Sequence, residues 1–321
     1  MVNLFSSFNQ QHNDSLVVHN SESLKRYSGY VVAGMGGSGV GAGILKTAFP
    51  SLALSLHQSY GLPQKMLQDG SVCLVASSYS GETEEVLDAF HQAIQAGIPV
   101  AVVASGGKLL QLAQEHKVPY IVLPNIKAPP RFAKIVSSRA IALLMAEKDI
   151  EQKIASAAEE IDLNALEQEA KELGEKIVDS FPLLISSSLL SCVALYWQMA
   201  LAETAKVPSS LGVIPEFTHN HMAAWGDTIV RENIVSKSSA VLFVDKEDDP
   251  RVLKRIKLLS SILQDRGVSV HAIQGRGSSL IARVLELEIL GDYVGISLSA
   301  RYGVDPQDVS AISEFKRRMS A

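Results

Sequence analysis

The sequence predicts an α/β protein of two lobes, each a parallel sheet with helices on both faces, and a helix at the C-terminus. Three observations predict it. Short apolar runs alternate with helical patterns from Tyr30 to Leu123. The same outline resumes after a charged helical stretch, from Leu183 onward. An apolar fraction of 47% in 321 residues is ample for two cores. Strands buried on both faces read as continuous apolar runs, and helices between them supply the crossovers of a parallel sheet.

In chain order, Tyr30–Ala33 reads as a strand that runs into Gly34-Met35-Gly36-Gly37-Ser38-Gly39 and a helical stretch to Thr47. Leu52–Leu56 and Val72–Ala76 are the next strands. A helix follows from Glu84 toward Ala96, with Val86, Leu87, Phe90 and Ile94 at helical spacing. Pro99–Val103 is a strand, Lys108–Glu115 a helix and Tyr120–Leu123 a strand. The Glu-, Lys- and Ala-rich stretch Lys148–Lys176 is helical and reads as a connector. The expected organisation is an N-terminal domain over 1–150, a connector over 151–176 and a C-terminal domain over 177–321. In the second lobe Leu183–Ile185 is a strand, Ser186–Ser188 its loop, and a buried helix runs to about Lys206. Ala240–Val244 and Val268–Ala272 are strands around a helix at Pro250–Asp265. Ser278–Ala300 is a long helix, and Asp305-Pro306 opens a last helix through Lys316, proline being favoured in a first turn.

Composition removes several function classes. A net charge of −5 with scattered basic residues gives no footprint for nucleic acid. Phe181–Ala202 is uncharged over about the length of a membrane span, but Pro182, Ser186, Ser187, Ser188, Ser191 and Gln198 mark it as strand, loop and buried helix. Met1–Ser21 is mostly polar and lacks the apolar run of a signal peptide, so a cytoplasmic location is expected. Cys73 and Cys192 are far apart in apolar context and read as buried free thiols of a reducing compartment.

Two loops carry chemistry. Ser78-Tyr79-Ser80-Gly81-Glu82-Thr83 joins a buried strand to a helix N-terminus, where unpaired N–H groups and the helix dipole favour an anion. Ser78, Ser80 and Thr83 add donors without charge, which suits a reversibly held phosphate; capping alone needs one hydroxyl. The loop lacks the lysine of a nucleotide-hydrolysing P-loop. Gly34-x-Gly36-x-x-Gly39 matches a dinucleotide fingerprint, but the second strand ends Leu56-His57-Gln58 without the acid that holds a ribose. The remaining readings are a glycine loop, Gly37 and Ser38 included, that lets a sugar phosphate approach the backbone, and a turn needed only for packing.

Together these loops resemble the sugar isomerase (SIS) domain family. Ala202-Glu203-Thr204-Ala205-Lys206-Val207-Pro208 resembles that family's Asn-Glu-Asn-Ala-Lys-hydrophobic-Pro segment, and Pro215-Glu216-Phe217-Thr218-His219-Asn220 its Pro-Glu-hydrophobic-x-His-Asn segment. Gly303-Val304-Asp305-Pro306, followed by Lys316, resembles its C-terminal helix. The ordered set spans about Tyr30 to Lys316 and is similar to the bifunctional phosphoglucose/phosphomannose isomerases. The sequence departs from the pattern at Ala202, Thr204 and His221, where the family commonly has Asn, Asn and Glu.

The resemblance implies two SIS-type αβα sandwich lobes and interconversion of glucose 6-phosphate, with mannose 6-phosphate as a further substrate, and fructose 6-phosphate through a cis-enediolate. It implies that Gly37, Ser38, Ser78, Ser80 and Thr83 hold the phosphate. Glu203 would move the proton, His219 and Lys316 would assist ring opening, and Arg131 would stabilise the enediolate. It also implies a homodimer with His219 shared across the interface. The chemistry fits: a carboxylate serves as base, a guanidinium meets the developing anion, and a histidine gives and takes a proton near neutral pH. The proton returns to the substrate, so neither cofactor nor metal is expected. The same residues also fit plainer roles: Glu203 as a surface acid, Arg131 as an ion-pair partner, Lys316 as a charge at a helix end, and His219 with His221 and Glu216 as metal ligands. A non-catalytic sugar-phosphate sensor, an isomerase of another phosphosugar and a dehydrogenase are the rival functions.

Overall fold

The computed structural model describes residues 4–64, 66, 71–225 and 232–319. The chain forms two compact units, Met1–Ile161 with Gly277–Leu285, and Asp162–Arg276 with Glu286–Ala321.

The first unit holds β1 (Val18–His19), β2 (Gly29–Ala33), α1 (Val40–Ala48), β3 (Leu54–His57), β4 (Val72–Ser77), α2 (Glu84–Gln95), β5 (Val100–Ala104), α3 (Gly107–Glu115), β6 (Tyr120–Val122), α4 (Lys134–Leu144) and α5 (Lys148–Glu159). The sheet order is β1-β6-β5-β4-β2-β3. Strands β3, β2, β4, β5 and β6 run parallel, and β1 closes one edge antiparallel to β6. β4 and β5 are buried at every position, as central strands covered on both faces must be. Val31, Leu74 and Val102 meet Val86, Phe90 and Leu109 of the covering helices in one core.

The second unit holds α6 (Leu163–Ile177), β7 (Phe181–Ser187), α7 (Ser191–Ala200), β8 (Ser210–Ile214), α8 (Glu232–Val235), β9 (Ser238–Val244), α9 (Pro250–Asp265), β10 (Ser269–Gln274), most of α10 (Leu280–Tyr302) and α11 (Ser310–Met319). Its parallel sheet has the order β10-β9-β7-β8. Leu183, Ile185, Ile214 and Leu242 pack with Ile256, Leu259 and Leu263 of α9. Gly291 of α10 makes room for Trp197, whose indole N–H donates to the Leu287 carbonyl at 2.7 Å.

Several elements differ from the sequence reading. The stretch 151–176 divides between the units: α5 buries Ile154, Ala157 and Ala158 in the first, and α6 buries Leu166, Ala170 and Leu173 in the second. α4 and β8 went unpredicted. α4 is buried almost all round, which erases the one-sided periodicity of a surface helix. Ser186 and Ser187 belong to β7, not to its loop. The last helix begins at Ser310, because Asp308 accepts from the Ser310 N–H and Oγ–H while Asp305 accepts from the Gln307 N–H. Neither cysteine is in a disulfide; Cys73 is buried, and Cys192 is only half-buried. Among the described residues, no helix is long and apolar enough to cross a membrane.

Candidate active site

In the first sheet the chain steps from β2 to β3 on one side and then to β4 on the other, so the winding direction reverses between β2 and β4. In open parallel sheets, ligands bind outside the carboxyl ends of the strands at this reversal. The loops leaving those two ends are the glycine loop and the hydroxyl loop. Topology thus brings together two motifs that lie about 40 residues apart in sequence.

The two loops are hydrogen-bonded to each other. Ser77 Oγ–H donates to the Ser38 carbonyl at 2.9 Å, and Ser38 Oγ accepts the Tyr79 N–H at 2.9 Å. Ser78 Oγ and Thr83 Oγ1 share a hydrogen bond of 2.7 Å, and Ser78 Oγ accepts the Gly81 N–H at 3.1 Å. Ser80 is exposed, and its Oγ accepts the Glu82 N–H at 3.2 Å. Thr83 is the residue before α2, yet its hydroxyl turns to Ser78 and makes no capping bond to the helix. The N-terminal donors of α2 are therefore not claimed by the side chain that would ordinarily cap them. Hydroxyls that can rotate, at a helix N-terminus, suit a phosphate.

Close backbone packing fixes the hydroxyl loop. Gly81 has φ +73, and a Cβ there would lie 2.0 Å from the Gly106 carbonyl oxygen. A Cβ on Gly107 would lie 2.3 Å from the Ser80 carbonyl oxygen. The Gly106-Gly107 pair, at the carboxyl end of β5, is thus part of the site's framework. Sequence reasoning missed it, although a glycine pair one residue beyond an apolar strand is its signal.

Arg131 stands in a short turn, Pro130–Phe132, and is 4% exposed. Its guanidinium carbon lies 5.2 Å from the centre of the Phe132 ring. Its backbone packs on Gly37: a Cβ at Gly37 would come within 2.6 Å of the Arg131 nitrogen. Gly37, Ser38, Ser78, Ser80, Thr83 and Arg131 are therefore carried by loops that pack on or bond to one another in the first unit.

Glu203, His219 and Lys316 are placed on three segments of the second unit. Glu203 is half-buried in a π-helical turn, Leu201–Ala205, that continues α7. Single π turns are rare and concentrate at functional sites. Lys206 ends the turn at φ +62, and its Nζ donates to the Glu203 carbonyl at 2.6 Å and the Asp308 carbonyl at 2.7 Å. It ties the Glu203 turn to the segment just before α11, which carries Lys316. Sequence reasoning had given Lys206 no role. Thr204, where the family commonly has Asn, is fully buried.

His219 is exposed at the end of the 3₁₀ turn Glu216–His219. Asn220 Nδ2 closes the turn by donating to Glu216 Oε1 at 2.6 Å, and Arg255 of α9 holds it from outside by donating from Nη1 to Thr218 Oγ1 at 2.8 Å. His221 sets its ring edge-on to Phe217 at 5.7 Å. Among the described residues, no three His, Cys, Asp or Glu side chains gather as metal ligands.

The second sheet reverses between β7 and β9. The loop after β9 there carries Asp245, Glu247, Asp248 and Asp249 against Lys246, a field that repels phosphate. The loop after β7 brings Ser188 and Ser191 to the start of α7, where their hydroxyls donate to the Ile214 and Ser188 carbonyls at 3.1 Å each. The first reversal point gathers Ser78, Ser80 and Thr83 before α2.

Two parallel-sheet units, the first with its hydroxyl and glycine loops joined at the reversal point, fit the SIS class that those loops resemble in sequence. Residues 166–319 match the family model of the bacterial phospho-glucose isomerase C-terminal SIS domain. A crystal structure of a hypothetical protein from Thermus thermophilus shares the fold, with a TM-score of 0.72 at 13% identity over 100% of this chain and 90% of that one. Two bifunctional phosphoglucose/phosphomannose isomerases are similar over nearly the whole length. That of Thermoplasma acidophilum is 33% identical over 92% of this chain and 90% of its own. That of Aquifex aeolicus is 31% identical over 93% and 92%. The chain belongs to the bifunctional phosphoglucose/phosphomannose isomerase family.

Proposed function

We propose that the protein is an aldose–ketose isomerase that interconverts glucose 6-phosphate and mannose 6-phosphate with fructose 6-phosphate through a cis-enediolate. One observation carries the reading: a chain-long match to relatives of that name comes with a hydroxyl loop and a glycine loop joined over the reversal point of a parallel sheet.

Ser38, Ser78, Ser80 and Thr83 hold the phosphate, and Gly37 admits it to the backbone. Glu203 takes the proton from C2 of the aldose and returns it to C1, with the reverse on the way back; its place in a π turn supports this role. Arg131 meets the enediolate charge with a guanidinium that burial has already removed from bulk water. His219 and Lys316 move protons as the ring opens. The exposure of His219 on its own chain supports a homodimer in which the histidine serves the partner subunit. The protein acts in the cytoplasm.

The base assignment is tested by Glu203→Gln. That variant is expected to lose roughly 10³-fold in kcat, as removal of a proton-transfer group does, while inorganic phosphate still inhibits at the wild-type concentration. Wild-type turnover by the variant would show that another group moves the proton.

A further inference from the structure

We propose that Tyr79 is a positioning residue for Arg131: it ties the hydroxyl loop to the segment that carries the arginine. The proposal rests on the isomerase reading given above. Tyr79 stands between Ser78 and Ser80, where holding an anion asks nothing of a large side chain. Its polar groups join its own loop to three others. The N–H donates to Ser38 Oγ at 2.9 Å, in the loop after β2. The carbonyl, in the loop after β4, accepts the Ser105 N–H at 2.9 Å and the Ser105 Oγ–H at 2.6 Å, in the loop after β5. The phenol donates to the Pro124 carbonyl at 2.9 Å and accepts the Ile126 N–H at 3.2 Å, in the loop after β6. These are the carboxyl ends of four adjacent parallel strands.

The loop after β6 leads directly to Arg131. Its far end is fixed independently. Gln11 Nε2 donates to the Phe132 carbonyl at 2.7 Å, Gln11 Oε1 accepts the Val136 N–H at 3.3 Å, and Gly37 lies against the Arg131 backbone. The near end is held by the Tyr79 phenol. A chain segment outside regular structure keeps its geometry through such ties, and a small displacement of a charge-stabilising group costs rate steeply. The groups proposed to hold the phosphate are Ser38, Ser78, Ser80 and Thr83, and the phenol's hydrogen bonds run to Pro124 and Ile126 instead. Removing the hydroxyl therefore separates the two functions: phosphate binding stays and transition-state stabilisation weakens.

The test compares full-length wild type, Tyr79→Phe, Arg131→Lys and the double variant. Readouts are kcat and KM for fructose 6-phosphate, the inhibition constant of inorganic phosphate, and Tm as a check on folding. Tyr79→Phe should lower kcat about tenfold while the phosphate inhibition constant moves less than about twofold. In the Arg131→Lys background the same change should have little further effect, because residues that act as a unit are not additive. Ile126→Pro, which deletes the N–H that donates to the phenol, should reproduce the kcat loss with Tyr79 intact, and it serves where Tyr79→Phe folds poorly. Unchanged kcat, a loss confined to phosphate binding, or full additivity with Arg131→Lys would overturn the proposal. Absence of turnover by the wild type would instead defeat the isomerase reading, and this proposal with it.

Discussion

Gly37 sits where the glycine loop touches the Arg131 turn, and its missing side chain is what allows the contact. Any Cβ would press on the Arg131 nitrogen and Cα and the Pro130 carbonyl carbon, all backbone atoms that cannot rotate away. Gly37→Ala is expected to cost about 2 kcal/mol of stability, in the range of overpacked sites, and to lower turnover by displacing Arg131. Urea unfolding and steady-state kinetics check both; wild-type values in each would show that the contact yields. At this scale the donors were legible because Ser78, Ser80 and Thr83 bunch beside a helix start. Their supports were not. Tyr79, Ser105, Gly107 and Gln11 act through contacts across 26 to 125 residues, and local pattern carries no trace of those contacts. Lys206 showed only as a family motif letter, since its left-handed φ and its two carbonyl partners belong to the folded chain.

Among the elements, β2, β4, β5, β9 and α9 were readable because each is an uninterrupted apolar run or a one-sided helix. The unread elements lacked that signal: α4 is buried on nearly every side, and the apolar run of β8 is broken by Ser210 and Gly212. Gly212 is where Phe217 packs, a Cβ lying 2.3 Å from its ring, so the strand and the turn that carries His219 were specified together. The edge strand β10 makes a pH prediction. Desolvation, and then the nearby Lys176 charge, lower the pKa of His271 from its ordinary 6.5, and its Nε2 is buried without a hydrogen-bond partner. Below pH 6.5 the unfolded chain therefore binds a proton that the folded chain resists, and stability falls with pH until the folded value is passed. His271→Gln should flatten part of the drop in urea midpoint between about pH 7 and 5. An identical pH profile in both proteins would show that His271 titrates normally.

For the whole molecule, the alternation of strands and helices fixed the α/β class. The finer organisation depended on packing: Gly277–Leu285 joins the first unit although it follows the second unit's strands. Both reversal points offer hydroxyls before a helix, Ser78, Ser80 and Thr83 in the first and Ser188 and Ser191 in the second, but only the second sets four carboxylates after its neighbouring strand β9. That asymmetry favours the first unit for the phosphate and makes charge substitution there informative.

The most direct test of the isomerase reading is NMR of fructose 6-phosphate incubated with the protein in D₂O without added metal. Glucose 6-phosphate and mannose 6-phosphate deuterated at C2 are the expected products, because a base-carried proton exchanges with solvent at the enediolate. Fructose 6-phosphate that binds but yields neither product nor exchange would contradict the account and leave a sugar-phosphate sensor, or an isomerase of a different phosphosugar, in its place.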